Sequence, residues 1–190
     1  MRVNYRKMSD EDILNLEHPA RQTSSGQEDR PVDHWVTINH HHVPITLSHG
    51  TTHGKCPPQK KAFFGALGGL FKTMGRAANT DPAFIAALAA YESSWLGKHA
   101  RDLHNPFGLT AGGGNDLSFP TYDAAANYWL YHAGRDRKGF ASIVSGMDTI
   151  EEFASALNAA GYNAVNPNWT SDIAKVYRTS IAPFGGSCGF

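Results

Sequence analysis

The sequence has no excess of either charge, since seventeen Lys and Arg balance seventeen Asp and Glu over 190 residues. Without a bulk field there is nothing to draw the chain onto nucleic acid or an anionic membrane surface, and neither partner is expected. No apolar run approaches the roughly 20 residues of a membrane span, so stable membrane insertion is not expected either. Met1 to Ala20 is polar and lacks the apolar centre of a signal peptide. Cysteine is scarce: Cys56 and Cys188 are the two present. They leave two states open, a pair of free thiols or one bridge, which in an oxidising compartment would contribute roughly 4–5 kcal/mol by closing a long loop. There are no internal repeats, and no cofactor is expected. What is present is a globular composition, 41% hydrophobic, sufficient for one domain of ordinary size with an appendage.

The first third of the chain is the polar part. Residues 1–33 carry charges of both signs around Ser24-Ser25-Gly26 and read as a mobile arm. From His34 to Ile45 two β-branched runs flank a polar middle, which predicts a hairpin. His49, His53 and Cys56 have ligand-like spacing. The Glu of a metalloprotease helix and a second cysteine pair are both lacking, so these histidines are expected to be solvated loop residues and no metal is expected. Cys56-Pro57-Pro58 reads as a linker. Beyond it, Phe63, Phe64, Leu67, Leu70, Phe71 and Met74 recur at helical spacing up to Ala78. A helix lying on a membrane is one reading of that stripe; a core helix with close-packed glycines is favoured, because the polar face is short and only modestly basic.

The rest is organised around Asp81 to Leu109, DPAFIAALAAYESSWLGKHARDLHNPFGL. Asp81-Pro82 is an N-cap followed by a first-turn proline. At about 100° per residue, Ile85, Leu88, Ala89, Trp95 and Leu96 fall on the same face as Glu92. A carboxyl on an apolar stripe is held protonated by desolvation, which suits a general acid. The alternative is an acid at the edge of the stripe, or one neutralised by a buried partner. Lys98 to His104 reads as a polar connection. Phe107 to Phe119, around Gly112-Gly113-Gly114-Asn115-Asp116, reads as a hairpin or flap.

Four short strings, in this order, carry a resemblance. They are Ala90-Tyr91-Glu92-Ser93-Ser94-Trp95, Asn105-Pro106-Phe107-Gly108-Leu109, Ser118 to Ala125, and Gly161-Tyr162-Asn163 before Asn166-Pro167-Asn168-Trp169. Together, over roughly residues 80 to 180, they resemble the glucosaminidase family of peptidoglycan hydrolases, glycoside hydrolase family 73, within the lysozyme-like superfamily. The resemblance implies cleavage of bacterial cell-wall glycan and assigns the general acid to Glu92. It also implies a substrate cleft shaped by Tyr162, Asn105, Phe107, Tyr122 and Trp169. For Phe107 and Tyr122 a place in the core is the favoured alternative. Separately, the Trp35 to Ile45 stretch is similar to a short segment of phage structural and morphogenesis proteins.

Three more helices follow: Thr121 to about Ala133, one opened by a Thr149-x-x-Glu152 capping box and closed at Gly161, and one from Trp169 through Tyr177. The expected fold class is therefore α+β, mainly α, with a lysozyme-like helical domain and a small β-hairpin lobe. Its parts are an N-terminal arm with a hairpin over 1–59, a catalytic domain over 60–182 and a flexible Gly-rich tail over 183–190.

Glycoside hydrolysis also needs a group that activates water or stabilises the oxocarbenium ion. Asp116 on the flap is the candidate, with Asp102, Asp123 and Asp136 as alternatives and turn formation as its structural alternative. Three functions are weighed: an N-acetylglucosaminidase, a muramidase or lytic transglycosylase using the same Glu92, and a non-catalytic wall-binding module. Peptidoglycan glycan strands are the expected partner. The place of action is the periplasm or the outside of the cell, reached through a holin, a virion, a secretion machine or a leader since removed.

Overall fold

The computed structural model describes residues 35–38, 41–44, 55–111, 114–163 and 165–190, with side chains from 55 onward. The expectations for residues 1–33, His49 and His53 lie outside these. The predicted hairpin is present: β1 (Trp35–Ile38) and β2 (His41–Pro44) pair antiparallel, Trp35 opposite Pro44 and Ile38 opposite His41. It belongs to a unit of its own, His18–Thr52.

The helical unit begins with α1 (Pro58–Ala78). Pro57 caps it and Pro58 takes the first helical position, where a missing N–H costs nothing, so the expected linker is already helix start. Phe63, Phe64, Leu67, Phe71, Met74 and Ala78 lie buried along one face. Gly75 is needed for the packing, because a Cβ there would stand 3.0 Å from the Pro82 ring at the start of the next helix. The core-helix reading of this stretch holds, and among the described residues no helix is long and apolar enough to cross a membrane.

The central helix is α2 (Pro82–Glu92), capped by Asp81, whose carboxylate accepts from the Ala83 N–H at 2.8 Å. Phe84 to Ala90 are all buried, so α2 has no polar face, and α1 and the later helix over Trp169–Val176 pack around it. The expected stripe running on through Trp95 and Leu96 does not exist. The helix stops at Glu92, and Ser94, Trp95 and Leu96 turn left-handed with φ of 50°, 61° and 62°. Three such residues in a row cost of order 1–2 kcal/mol each. The buried Ser93 hydroxyl offsets part of this by donating to the Ala89 carbonyl at 2.6 Å and accepting from the Leu96 N–H at 2.8 Å.

The expected polar connection contains a short helix, α3 (Lys98–Asp102). Next come β3 (Thr110–Ala111) and β4 (Asn115–Asp116), antiparallel with Thr110 opposite Asp116, which is the predicted flap. Then follow α4 (Tyr122–Tyr131), α5 (Ala141–Val144), α6 (Ile150–Ala159) and α7 (Trp169–Val176), which runs into one π turn over Tyr177–Ile181. The Thr149/Glu152 capping box is formed in both directions, at 3.2 and 3.1 Å.

Cys56 and Cys188 form a disulfide, so the choice between free thiols and a bridge resolves to the bridge. The expected fraying of 183–190 is corrected as well. A 3₁₀ turn spans Gly186–Cys188, and the Phe190 ring stacks on Phe64 with centroids 4.8 Å apart. An aromatic side chain and a cross-link hold the glycine-rich tail that composition alone would leave loose.

Candidate functional site

Glu92 is the last residue of α2, half-buried, and lines a cleft of about 230 Å³ together with His99, Ala100, Leu103, Asn105, Gly108 and Asp116. The cleft lies between the helical body and the small β lobe. α2 and α3 supply one wall, and the loop after Asn105 with β4 supplies the other.

Two contacts fix the carboxyl. Trp169, the first residue of α7 and 3% exposed, donates its indole N–H to Glu92 Oε1 at 2.7 Å. On the other side the chain passes so close that a Cβ at Gly108 would lie 2.8 Å from Glu92 Oε2, and Gly108 has φ of +59°. Burial pushes the Glu92 carboxyl up from 4.5 to about 7, against the pull of the Trp169 N–H, which favours the charged form. An acid so placed is partly protonated at neutral pH and can release its proton to a basic oxygen.

Gly108 is therefore doubly constrained. Gly108→Ala is expected to cost about 1–2 kcal/mol for its left-handed backbone and to displace the carboxyl. A shift approaching 1 Å would lower by about 10²-fold any reaction that needs this carboxyl in place. Melting curves and rates on purified cell walls, measured on one preparation, check both effects.

The remaining expected site residues divide into groups. Asp116 shares the cleft with Glu92, and its Oδ2 lies 2.7 Å from His99 Nε2 in an exposed pair. Asn105 lines the cleft but is 4% exposed and works as a clip: its Nδ2 donates to the Leu109 and Leu117 carbonyls at 2.8 and 2.9 Å, and its Oδ1 accepts from the Leu109 N–H at 3.0 Å. Those bonds hold both sides of the β lobe. Phe107 is not a cleft aromatic. It is fully buried against Trp129, with ring centroids 5.8 Å apart, and has no surface to offer a sugar.

Tyr122 is half-buried, edge-on to His104 and outside the cleft lining. Tyr162 donates its hydroxyl to the Phe107 carbonyl at 2.7 Å and stacks on Trp169 at 5.4 Å, so it supports the indole from behind. Burial, followed by the nearby Glu92 charge, pushes its hydroxyl well above the usual tyrosine range, so it stays a donor. Asp102 pairs with Lys98, while Asp123 and Asp136 are exposed, and none of the three lines the cleft.

From the sequence, His99 and Asp172 receive no role, and Tyr91, Gly108 and Asn166 enter only as members of the matched strings. For His99 a signal was available, because Lys98 and Asp102 stand at i and i+4, a helix-supporting pair that would have placed it on a helix beside the flap. Among the described residues no group of three His, Cys, Asp or Glu is placed to hold a metal, and Cys56, one of the three ligand-spaced residues, is spent in the disulfide.

No protein-family model matches the chain, and no curated protein matches it. Solved structures do. A peptidoglycan hydrolase from Sphingomonas sp. A1 superposes with a TM-score of 0.53 at 20% identity, covering 64% of this chain and 90% of that one. A type VI secretion system effector-immunity complex from Pseudomonas protegens gives a TM-score of 0.57 at 20% identity, with 70% and 96% covered. The catalytic domain of the autolysin Auto from Listeria monocytogenes gives 0.52 at 14% identity, with 70% and 90% covered. The chain thus has the lysozyme-like fold, α+β and mainly helical, with its small two-stranded lobe facing the helix that ends in Glu92.

Proposed function

We propose that this protein is a peptidoglycan hydrolase that cleaves β-1,4 glycosidic bonds of the wall glycan, with Glu92 as general acid, and that it acts as an endo-β-N-acetylglucosaminidase. The observation that carries this reading is the Glu92 carboxyl itself, raised to about 7 by desolvation, lining an open cleft and oriented by Trp169. The fold it shares with a peptidoglycan hydrolase and with the catalytic domain of an autolysin supports it, as does the motif resemblance.

In the proposed reaction a glycan strand lies along the cleft with one glycosidic oxygen against Glu92. As the C–O bond breaks, the Glu92 proton passes to the leaving oxygen, the electron pair of the bond follows it, and positive charge builds on the sugar. Water then adds to the anomeric carbon and gives up a proton. Asp116 is the proposed acceptor, because it is the second carboxylate lining the cleft. Tyr162 and Trp169 are outside the cleft lining and serve the acid rather than the sugar.

Asp116→Asn is expected to lower the rate on cell walls by about 10²-fold, as loss of a general base does. A rate within a few fold of the parent would remove Asp116 from the chemistry. That result would favour the second reading, a muramidase or lytic transglycosylase in which Glu92 acts as acid and then base. The exposed pairing of Asp116 with His99 is the feature that keeps this second reading in view. Mass spectrometry of digested peptidoglycan tests both readings: reducing-end GlcNAc marks the glucosaminidase, and MurNAc or anhydro-MurNAc marks the alternative. An undigested glycan would sink the enzymatic account and leave a wall-binding module.

The substrate places the action outside the cytoplasm, and a disulfide suits an oxidising compartment. A structural neighbour from a type VI secretion system supports delivery by a secretion machine.

A further inference from the structure

We propose that Asn166, acting with Tyr91 and Asp172, is a positioning residue that sets where the Trp169 indole meets Glu92. The inference rests on the reading of Glu92 as the general acid.

Its basis is the way α7 is started. Asn168, the residue before the helix, makes no side-chain cap, so the usual means of fixing a first turn is missing. Asn166 takes over. Its Oδ1 accepts from the Asn168 N–H at 2.9 Å, and its carbonyl accepts from the Trp169 N–H at 3.2 Å. Its Nδ2 donates both to the Tyr91 hydroxyl and to Asp172 Oδ2, each at 3.0 Å. The Asn163 side chain holds it from behind, accepting from the Asn166 N–H at 3.2 Å and donating to the Asn166 carbonyl at 2.7 Å. Every polar group of Asn166 is thereby used within the protein.

The triangle closes with the Tyr91 hydroxyl donating to Asp172 Oδ2 at 3.3 Å. Burial raises the Tyr91 pKa, which keeps that hydroxyl a donor. Two consecutive residues at the end of α2 therefore reach two residues one turn apart on α7: Glu92 meets Trp169, and Tyr91 meets Asp172. Asn166 bridges the second pair and, through its own backbone, leads into the first. If the bridge is cut, the register of α7 against α2 rests on apolar packing and the long Tyr91–Asp172 contact, and the indole N–H loses its fixed aim. The ionisable groups around Glu92 are Tyr91 on its own helix, Tyr162 behind Trp169, Asp172 on α7, and His99 on α3 and Asp116 on β4, which line the cleft with it.

The test follows the indole directly. In ¹H–¹⁵N spectra the Trp169 Nε1–H resonance, assigned by its loss in Trp169→Phe, reports ionisation of the Glu92 carboxyl as pH is raised. A donor that no longer reaches the carboxylate ceases to favour the charged form, so the midpoint must rise. In Asn166→Ala the midpoint and the alkaline limb of the wall-hydrolysis profile are expected to move up together by about 0.5–1 pH unit. Tyr91→Phe, which removes a single hydroxyl, is expected to move them the same way by less. A folded Asn166→Ala with the parent's indole shift and midpoint overturns the proposal, even if its rate falls. Should Asn166→Ala fail to fold, Tyr91→Phe decides, and an unmoved midpoint overturns the proposal. A parent protein with no activity on walls would sink the hydrolase reading instead, and the indole titration would still judge Asn166.

Discussion

Glu92→Gln is expected to lower the rate of wall hydrolysis by about 10²–10⁴-fold while leaving the fold intact and, at alkaline pH, making it more stable. Gln keeps the shape and an oxygen for the Trp169 N–H at Glu92 Oε1, but carries no proton to give. The stability half follows from linkage. With its carboxyl raised from 4.5 to about 7, the native state holds a proton that the unfolded chain has already released. Stability is therefore lost as pH rises from about 4.5 to 7 and does not return above it, a deficit of up to about 3 kcal/mol. Gln has no such deficit. Melting temperatures of the two proteins should agree near pH 4 and separate by pH 8, with the variant higher. Activity of the parent should fall as pH rises through about 7, because the acid must be protonated to act. An inactive variant whose melting curve shows no alkaline gain would mean that Glu92 is not desolvated. A variant at full rate would end the assignment.

That coupling also shows what was legible in the sequence and what was not. Local signals transferred well. Asp81-Pro82 caps α2, Thr149 and Glu152 close their box, and the glycine-rich flap pairs as β3 and β4, because each depends on neighbours a few residues away. The apolar-stripe argument that singles out Glu92 fails in detail. A helix buried on all sides has no stripe, and the residues counted as its far end lie on a left-handed turn. The environment of Glu92 comes from Trp169, 77 positions on, and from the backbone at Gly108, and no periodicity within α2 encodes either. The same blindness explains Phe107 and Asn105. A motif match marks both as belonging to the site, but cannot say whether a residue faces the ligand or holds up the wall that does.

Removing the disulfide with Cys188→Ser is expected to lower the melting temperature by roughly 10–20 °C. The bridge spans 132 positions, and closing a loop of that length restricts the unfolded chain by about 5 kcal/mol on the loop-entropy argument, with measured losses nearer 2–5. The loss should not stay at the terminus. Cys56 stands just ahead of α1, and within that helix Lys60 lies 4.0 Å from the Phe184 ring and 5.4 Å from Trp95, while Phe63 meets Trp95 edge-on at 5.2 Å. Trp95 belongs to the left-handed turn directly after Glu92, so a released tail withdraws support from a strained segment beside the acid. Wall hydrolysis by Cys188→Ser should therefore decline at temperatures well below its melting point, and reduced parent protein should behave alike. Phe190→Ala separates the two contributions, since it keeps the cross-link and removes the ring stacked on Phe64. If that variant melts with the parent while Cys188→Ser does not, the stabilisation comes from the bridge and not from the stacked ring. If both lose activity before they unfold, the docked tail is part of what holds the turn behind Glu92 in shape.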